Sequence, residues 1–230
     1  WKDDFIPFCR RENVPLDFYS WHIYYHEFTR MTSRVDKVHE LLRKYGYTET
    51  ESILDEWNYV VNWTDAFQYS MNVVKSLKGA AFCAATFNTC QNMPVDMLMY
   101  YDARPSTGFN GLFRTMDYAP LPSYYAFYSW SKLASLGTQV KAVSNESDIT
   151  VTAASKDGRT AIFVARYNDD NNEVAKKYVN VKIDGLTDDV SLTGHFTDSS
   201  YNYTEVPLDI EDGMIRLNME PNSFVLIEVI

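Results

Sequence analysis

Over residues 1–137, short apolar runs alternate with longer segments whose apolar residues recur at helical spacing. This alternation is typical of a parallel sheet with crossover helices, that is, of an α/β fold. Runs rich in aromatic and β-forming residues predict three strands, at Leu16–Tyr24, Glu51–Asn58 and Val95–Tyr101. The segments around them predict helices at residues 1–8, Ser33–Tyr45, Thr64–Gln91 and Pro122–Leu136.

Residues at the ends of the helical segments predict where the helices begin and end. Ser33 with Asp36 resembles a capping box, and Gly46 is a natural stop for the same helix. In the longer segment that follows, Lys78-Gly79 predicts a break between two helical pieces.

The pattern changes after Gly137, where closely spaced apolar or alternating runs are separated by turn signals such as Asp157-Gly158. These runs begin at Asp148, Thr160, Tyr178, Val190, Met214 and Phe224. Short strands with Asp-Gly turns and no helical period predict an antiparallel β-sandwich. We therefore expect two domains, residues 1–137 and 138–230.

Composition excludes several classes of function. The formal net charge is −10, from 21 basic and 31 acidic residues without a long Lys/Arg cluster, which disfavours nucleic acid as a partner. No apolar run approaches the length of a membrane span, so we expect a soluble protein with no membrane partner. The four scattered histidines and the absence of a Gly-rich phosphate loop predict no metal and no cofactor. The three cysteines predict buried free thiols.

Two strand ends concentrate polar and aromatic side chains. Alternation along the first strand puts His22 and Tyr24 on one face. The second strand ends in Asp55-Glu56-Trp57-Asn58. Alternation there puts Glu56 on the face of Leu54 and puts Asp55 with Trp57 on the other, so we expect one carboxylate, Glu56, to point into a barrel.

A carboxylate beside a tyrosine and a histidine is chemically suggestive. A glycosidase nucleophile is a carboxylate held ionised by hydrogen bonds, and a tyrosyl hydroxyl and an imidazole N–H are suitable donors. The alternative is structural: His22 and Tyr24 are satisfied interior residues and Glu56 is a buried ion-pair partner. Spacing alone leaves both open.

Four motifs together resemble a known family. They are Pro15-Leu-Asp-Phe-Tyr-Ser-Trp-His-Ile-Tyr24, Ile53-Leu-Asp-Glu-Trp-Asn58, Tyr100-Tyr-Asp102 and Pro122-Ser-Tyr-Tyr-Ala-Phe127. In this order they resemble the second half of clan A glycoside hydrolases, most of all family 39, the β-xylosidase and α-L-iduronidase group. The resemblance implies that residues 1–137 are about strands 6 to 8 of a TIM (β/α)₈ barrel and that the β-sandwich is accessory.

The resemblance also implies roles for individual residues. Glu56 is implied as the nucleophile of a retaining hydrolase that cleaves O-glycosidic bonds in polysaccharides or oligosaccharides, with xylosides among the substrates. The residues implied to bind the carbohydrate substrate are His22, Tyr24, Trp57, Asn58 and Tyr101. Stacking faces for sugar rings are also available at Trp21, Trp57, Tyr100 and Tyr101, and packing in the core is the alternative for each.

The sequence departs from the family pattern in one respect. The acid/base glutamate of clan A follows an asparagine on the fourth strand, and the pairs Asn145-Glu146 and Asn172-Glu173 lie instead in the predicted sandwich. Three strands cannot close a barrel. We therefore expect a missing N-terminal barrel half or self-association, and little activity from this chain alone.

Two questions stay open at the level of sequence. The competing function is a non-catalytic carbohydrate-binding or structural module, with the half-barrel as a remnant. The compartment is also open, with secreted and periplasmic locations among the alternatives, because the chain begins at Trp1 within a predicted helix and carries no targeting segment.

Overall fold

The computed structural model describes residues 2–186 and 190–229. Within these residues there are five helices: α1 Lys2–Arg11, α2 Phe28–Lys44, α3 Phe67–Val74, α4 Leu77–Cys90 and α5 Pro122–Leu136. The same residues form twelve strands: β1 Phe18–Tyr25, β2 Glu51–Tyr59, β3 Met97–Tyr100, β4 Gln139–Val140, β5 Ile149–Lys156, β6 Arg159–Arg166, β7 Lys177–Val181, β8 Leu192–Thr197, β9 Asn202–Pro207, β10 Ile210–Glu211, β11 Met214–Met219 and β12 Ser223–Val229.

The first three strands form a parallel sheet in the order β1-β2-β3, which confirms the strands predicted in this half of the chain. One face packs against the helices and is buried, for example at Trp21 and Tyr25 of β1. The other face carries exposed residues, including Phe18 at 54%, Met97 at 45% and Met99 at 44% exposure. We call this second face the open face.

The pairing of β1 with β2 shifts at one point. Trp21 is opposite Leu54, but the next residue, His22, is opposite Glu56. Asp55 is therefore an extra residue on β2, a β-bulge, which interrupts the two-residue alternation of side chains.

The bulge corrects the predicted orientation of the carboxylates. Leu54 and Trp57 are both fully buried on the helix side of the sheet. Asp55 lies on the open face, with its Oδ1 3.8 Å from Nδ1 of His22. The prediction that Leu54 shares a face with Glu56, and that one carboxylate alone points inward, is wrong because the extra residue turns both carboxylates to the same side.

Two predicted helix boundaries are also wrong. Helix α2 begins at Phe28 after Glu27, so Ser33 is an interior residue; Gly46, with φ +80°, does end the helix. The break between α3 and α4 is at Lys75-Ser76, and Gly79 lies inside α4. A glycine is required at position 79 because a Cβ there would lie 2.3 Å from the carbonyl oxygen of Val73.

The antiparallel part contains a six-stranded sheet, β4-β5-β6-β12-β8-β9, and a three-stranded sheet, β10-β11-β7. The two sheets share an apolar cluster that includes Val164, Val225 and Leu217, so they pack against each other. The sequence did not predict β9, because its side chains are mostly exposed and polar. Phe163 and Leu226 of the six-stranded sheet belong to the same core as the parallel sheet, so the division at residue 138 stays a prediction.

The described residues also bear on two expectations from composition. Cys9, Cys83 and Cys90 are free and buried, which confirms the predicted buried thiols. Among the described residues, no helix combines the length and the apolar character that a membrane span requires.

A buried ion pair fixes the beginning of the antiparallel part and leads to a prediction. Arg166, 3% exposed, donates to Asp148 at 2.9 Å, and Lys177 contacts the same carboxylate at 2.6 Å. Burial raises the pKa of Asp148, but hydrogen bonds from Lys177 and Arg166 outweigh it and the net shift is downward. We expect Asp148→Asn to lower the free energy of unfolding at pH 7 by about 2 kcal/mol.

The pH dependence checks the cause of that loss. Because the pKa of Asp148 is lowered in the folded state, its ion pairs stabilise the protein at pH values above the unfolded-state pKa of about 4. This contribution is lost as the pH falls through the folded-state pKa of Asp148. Urea unfolding of both proteins at pH 7 and below pH 4 should show the difference shrinking with acid. Glu146→Gln, which removes an exposed contact to Lys177, is the control and should change little. A difference independent of pH would contradict the electrostatic explanation.

Candidate active site

The carboxyl ends of β1 and β2 bring two predicted residues together on the open face. The hydroxyl of Tyr24 donates a hydrogen bond of 2.8 Å to Oε2 of Glu56. Because the strands are parallel, both side chains lie at the same edge of the sheet, where active sites of α/β folds are found.

The environment of Tyr24 keeps its proton in place. Burial is the largest cause that raises the pKa of Tyr24, followed by its hydrogen bond to Glu56, and the result lies far above the ordinary value for tyrosine. Tyr24 is therefore a neutral hydrogen-bond donor to Glu56.

His22 lies beside this pair and is the more exposed partner. Its Nδ1 is 3.8 Å from Oδ1 of Asp55, and 65% of its side chain is exposed. Oδ1 of Asp55 is itself buried and accepts no hydrogen bond from any described residue. The edge of the open face thus holds two carboxylates, one phenol and one imidazole within two adjacent strands.

Aromatic rings surround Tyr24 on the same side. Trp63, Phe109 and Tyr101 have ring centroids 5.0, 5.5 and 6.4 Å from that of Tyr24. Trp63 is 59% exposed and stacks on Phe67 at 5.8 Å with an interplanar angle of 23°. Tyr101, a predicted site residue, therefore lies in the cluster that contains Tyr24.

Sequence reasoning missed Trp63 and Phe109. Trp63 follows β2 in a turn where the side chain of Asn62 accepts hydrogen bonds from the backbone N–H groups of Thr64 and Ala66. This asparagine turn is the sequence signal that could have indicated Trp63, because it orders the loop that carries the tryptophan. Phe109 comes from the long segment between β3 and α5, which has no periodicity to indicate its position.

Two predicted substrate-binding residues do not face the site, and Tyr100, a candidate stacking residue, is partly buried in the core. Trp57 is fully buried against Phe82 and Phe87 on the helix side, so its ring is not available to a sugar. The Asn58 side chain is also buried, and its amide donates to the carbonyl oxygens of Tyr101 and Phe109. Its role is to hold the segment after β3. Tyr100 contacts Trp57 on the helix side.

A third carboxylate near the site is used structurally. Asp102 is bonded by the guanidinium of Arg104 at 2.7 Å and by the hydroxyl of Thr107 at 2.6 Å. Burial raises the pKa of Asp102, but these hydrogen bonds outweigh it, so the net shift is downward. The carboxylate orders the segment that carries Phe109.

The two Asn-Glu pairs in the antiparallel part are engaged locally. Glu146 contacts Lys177 at 2.8 Å, and Glu173 accepts a hydrogen bond from the backbone of Ala175. Across residues 2–186 and 190–229, no three His, Cys, Asp or Glu side chains are placed together to hold a metal ion.

Solved structures with the same fold are glycoside hydrolases. A glucosidase from Croceicoccus marinus aligns with a TM-score of 0.74 at 17% identity, over 99% of this chain and 56% of that one. A family 39 β-xylosidase from Caulobacter crescentus aligns with a TM-score of 0.69 at 17% identity, over 100% and 54%. A family 51 α-L-arabinofuranosidase from Thermotoga petrophila aligns with a TM-score of 0.66 at 18% identity, over 99% and 56%.

These structures and further neighbours from families 30 and 44 are clan A glycoside hydrolases. No protein-family model matches the sequence, and no curated protein matches it. At this identity the likeness shows the fold alone, and the neighbours with which this fold is shared are TIM-barrel glycoside hydrolases. The chain spans about half the length of the solved chains named above.

Proposed function

We propose that this chain is part of a retaining glycoside hydrolase in which Glu56 is the nucleophile. The observation that carries the proposal is the 2.8 Å hydrogen bond from Tyr24 to Glu56 at the carboxyl ends of adjacent parallel strands. A structural ion pair would join Glu56 to a cation, whereas its described hydrogen bond comes from a neutral phenol on an accessible face.

The proposed reaction has two steps. An oxygen of Glu56 attacks the anomeric carbon while the bond from that carbon to the leaving oxygen breaks, and a second carboxyl group gives the leaving oxygen a proton. Water then attacks the same carbon, returns a proton to the second group and releases Glu56. The second carboxyl must lie about 5 to 5.5 Å from Glu56. We assign it to sequence outside this chain, since the two Asn-Glu glutamates of this chain are engaged elsewhere.

The open face has features that favour the proposal of a larger barrel. Phe18, Met97 and Met99 are exposed apolar residues on the face that would become the barrel interior. Strands β1 and β3 are the outer strands of the sheet, and each has one edge without a partner among the described strands. Exposed strand edges and apolar patches are normally covered. We propose that the missing half of the barrel covers them, and that residues 138–230 are an accessory β-sandwich.

The decisive experiment uses the native protein that contains this chain. Its intact mass is measured first, followed by hydrolysis of aryl xylosides, glucosides and arabinosides, the sugars named in the similar structures. Proton NMR then identifies the anomer released first. We expect a mass above 26.6 kDa and a first product that keeps the substrate's configuration. An inverted product would exclude a covalent role for Glu56, and no turnover of any glycoside would favour a binding module.

Trp63 provides a further prediction about this site. Its exposed ring lies beside Tyr24 and is held by Phe67, so it is suited to stack on a sugar ring. We expect Trp63→Ala to raise KM about 5- to 10-fold, the scale of one aromatic contact, with a smaller change in kcat. Steady-state kinetics on an aryl glycoside measures both constants.

The matched control for that change is Trp63→Phe, which keeps an aromatic face. It should retain most of the affinity. If Trp63→Ala lowers kcat and leaves KM unchanged, the ring supports Tyr24 and does not bind the sugar.

A further inference from the structure

A cluster of buried and half-buried polar groups connects the antiparallel part of the chain to the ends of β1 and β2. Its centre is Asp169, in the segment between β6 and β7. One carboxylate oxygen accepts a hydrogen bond of 2.7 Å from the hydroxyl of Tyr59, and the other lies 2.7 Å from Nδ1 of His26. Nζ of Lys78, on α4, is 2.8 Å from the same carboxylate. Asp169 therefore contacts β2, α4 and the residue that follows β1 at once.

The two strand contacts are close to the candidate active site along the chain. Tyr59 is the last residue of β2, three residues after Glu56, and His26 directly follows β1, two residues after Tyr24. The strands are joined at this point as well, since the backbone N–H of Val60 donates to the carbonyl of Tyr25 at 3.1 Å. One carboxylate thus holds both strands just beyond the residues that form the hydrogen-bonded pair.

The cluster is a built feature and not a surface contact. Tyr59 is fully buried and Lys78 is 7% exposed. Lys78 also donates to the backbone carbonyl of Asp169 at 2.5 Å, and the hydroxyl of Tyr167 donates to the backbone carbonyl of His26 at 2.8 Å. Burial raises the pKa of Asp169, but hydrogen bonds from Lys78, Tyr59 and His26 outweigh it, so the net shift is downward. The carboxylate is ionised at neutral pH and compensates the buried charge of Lys78.

We propose that Asp169 is a positioning residue that fixes the ends of β1 and β2 and thereby sets the distance between Tyr24 and Glu56. The inference rests on the proposed function for its catalytic consequence. Tyr59 is on the helix side of the sheet, so Asp169 acts from behind the strands and does not touch the substrate. Catalytic groups must be held within about 0.5 Å, and a displacement of 1 Å can cost about 100-fold in rate. The antiparallel part would then contribute to catalysis through this one loop.

The test compares variants of the native protein that contains this chain. Asp169→Asn keeps the shape of the side chain and removes its charge. We expect kcat to fall about 10- to 100-fold while KM changes much less. In a Tyr24→Phe background, the fold-loss of kcat caused by Asp169→Asn should be at least about 3-fold smaller than in the wild type. The reason is that the hydrogen bond positioned by Asp169 is already absent. Tyr59→Phe removes one hydrogen bond and should reproduce the kcat loss to a smaller extent.

The matched control is Glu228→Gln. It removes a carboxylate contact of the same chemistry, 2.8 Å to His195, on β12 and away from β1 and β2. Both variants lose a half-buried carboxylate, but Asp169→Asn also leaves the buried Lys78 without its carboxylate. The kcat values are therefore compared at a temperature at which circular dichroism shows both proteins to be folded. Equal kcat values for Asp169→Asn and Glu228→Gln would overturn the proposal. So would a double variant of Asp169→Asn and Tyr24→Phe whose loss of kcat equals the product of the two single losses.

Hydrogen–deuterium exchange separates this inference from the proposed function. Backbone amides at residues 24–27 and 57–61 should exchange at least about 10-fold faster in Asp169→Asn than in the wild type, since strand ends released from a contact open locally. Glu228→Gln should leave them unchanged. If the wild type hydrolyses glycosides but these amides and kcat are unaffected by Asp169→Asn, the inference fails and the function stands. If the wild type hydrolyses none, the function fails, and unchanged exchange would then reject the tie between Asp169 and the strands too.

Discussion

Glu56→Gln in the native protein is expected to lower kcat/KM for aryl glycosides by roughly 10⁴-fold or more, which is the usual effect of removing a catalytic nucleophile. The amide is nearly isosteric with the carboxylate and can still accept the hydrogen bond from Tyr24, which is 2.8 Å in the wild type. What it loses is the charge and the ability to form a glycosyl ester. Initial rates and circular dichroism of the two proteins check that activity falls while the fold remains.

Asp55→Asn is the control that the bulge in β2 makes necessary. Asp55 and Glu56 lie on the same side of the sheet, so orientation alone does not distinguish them. We expect Asp55→Asn to retain far more activity than Glu56→Gln, because Glu56 and not Asp55 is bonded to Tyr24. The reverse order of losses would transfer the nucleophile to Asp55. Mass spectrometry after reaction with an activated 2-deoxy-2-fluoro glycoside would identify the labelled residue directly.

Gly79→Ala is expected to lower the free energy of unfolding by about 3 kcal/mol, at the upper end of the usual cost of overpacking. In an ordinary helix the same change would stabilise by up to about 1 kcal/mol. The sign reverses because the new Cβ would lie 2.3 and 2.8 Å from the carbonyl oxygens of Val73 and Val74. These are backbone atoms and cannot move aside without shifting the end of α3. Urea unfolding at constant pH measures the difference.

Gly108→Ala is the control for that prediction. A Cβ at position 108 would meet the side chain of Met71, whose sulfur would be 3.4 Å away, and that flexible side chain can move. We expect a change much smaller than for Gly79→Ala. A stabilised Gly79→Ala protein would show that α3 and α4 can separate at little cost, against this prediction.

The parallel and antiparallel strands could be predicted because both patterns are local. The side chains of β1 alternate strictly between the buried and the exposed face, with Trp21 buried and His22 exposed. Helix α5 begins at Pro122 and ends before Gly137, as the sequence indicates. The polar residues at the ends of β1 and β2 could be identified in the same way, because such residues after a buried run have few structural uses. The parallel order of the strands places these ends at the same edge of the sheet, but the bulge in β2 decides that Tyr24 and Glu56 meet.

Tertiary structure alone decided the features that depend on neighbours distant in sequence. The bulge at Asp55 depends on the hydrogen-bond register with β1, which no property of β2 by itself reveals. The burial of Trp57 follows from that bulge and from the position of α4. The contacts of Trp63 and Asp169 join segments separated by tens of residues or more.

The sequence by itself determined the order and type of the main elements and the strand ends that carry the polar groups, because hydrophobic periodicity is a property of each segment. Only the tertiary structure decided which face each carboxylate occupies, which aromatic rings remain exposed and which loop supports the strand ends. These outcomes depend on register and on packing between elements, and small shifts in either one redirect a side chain without changing the local pattern.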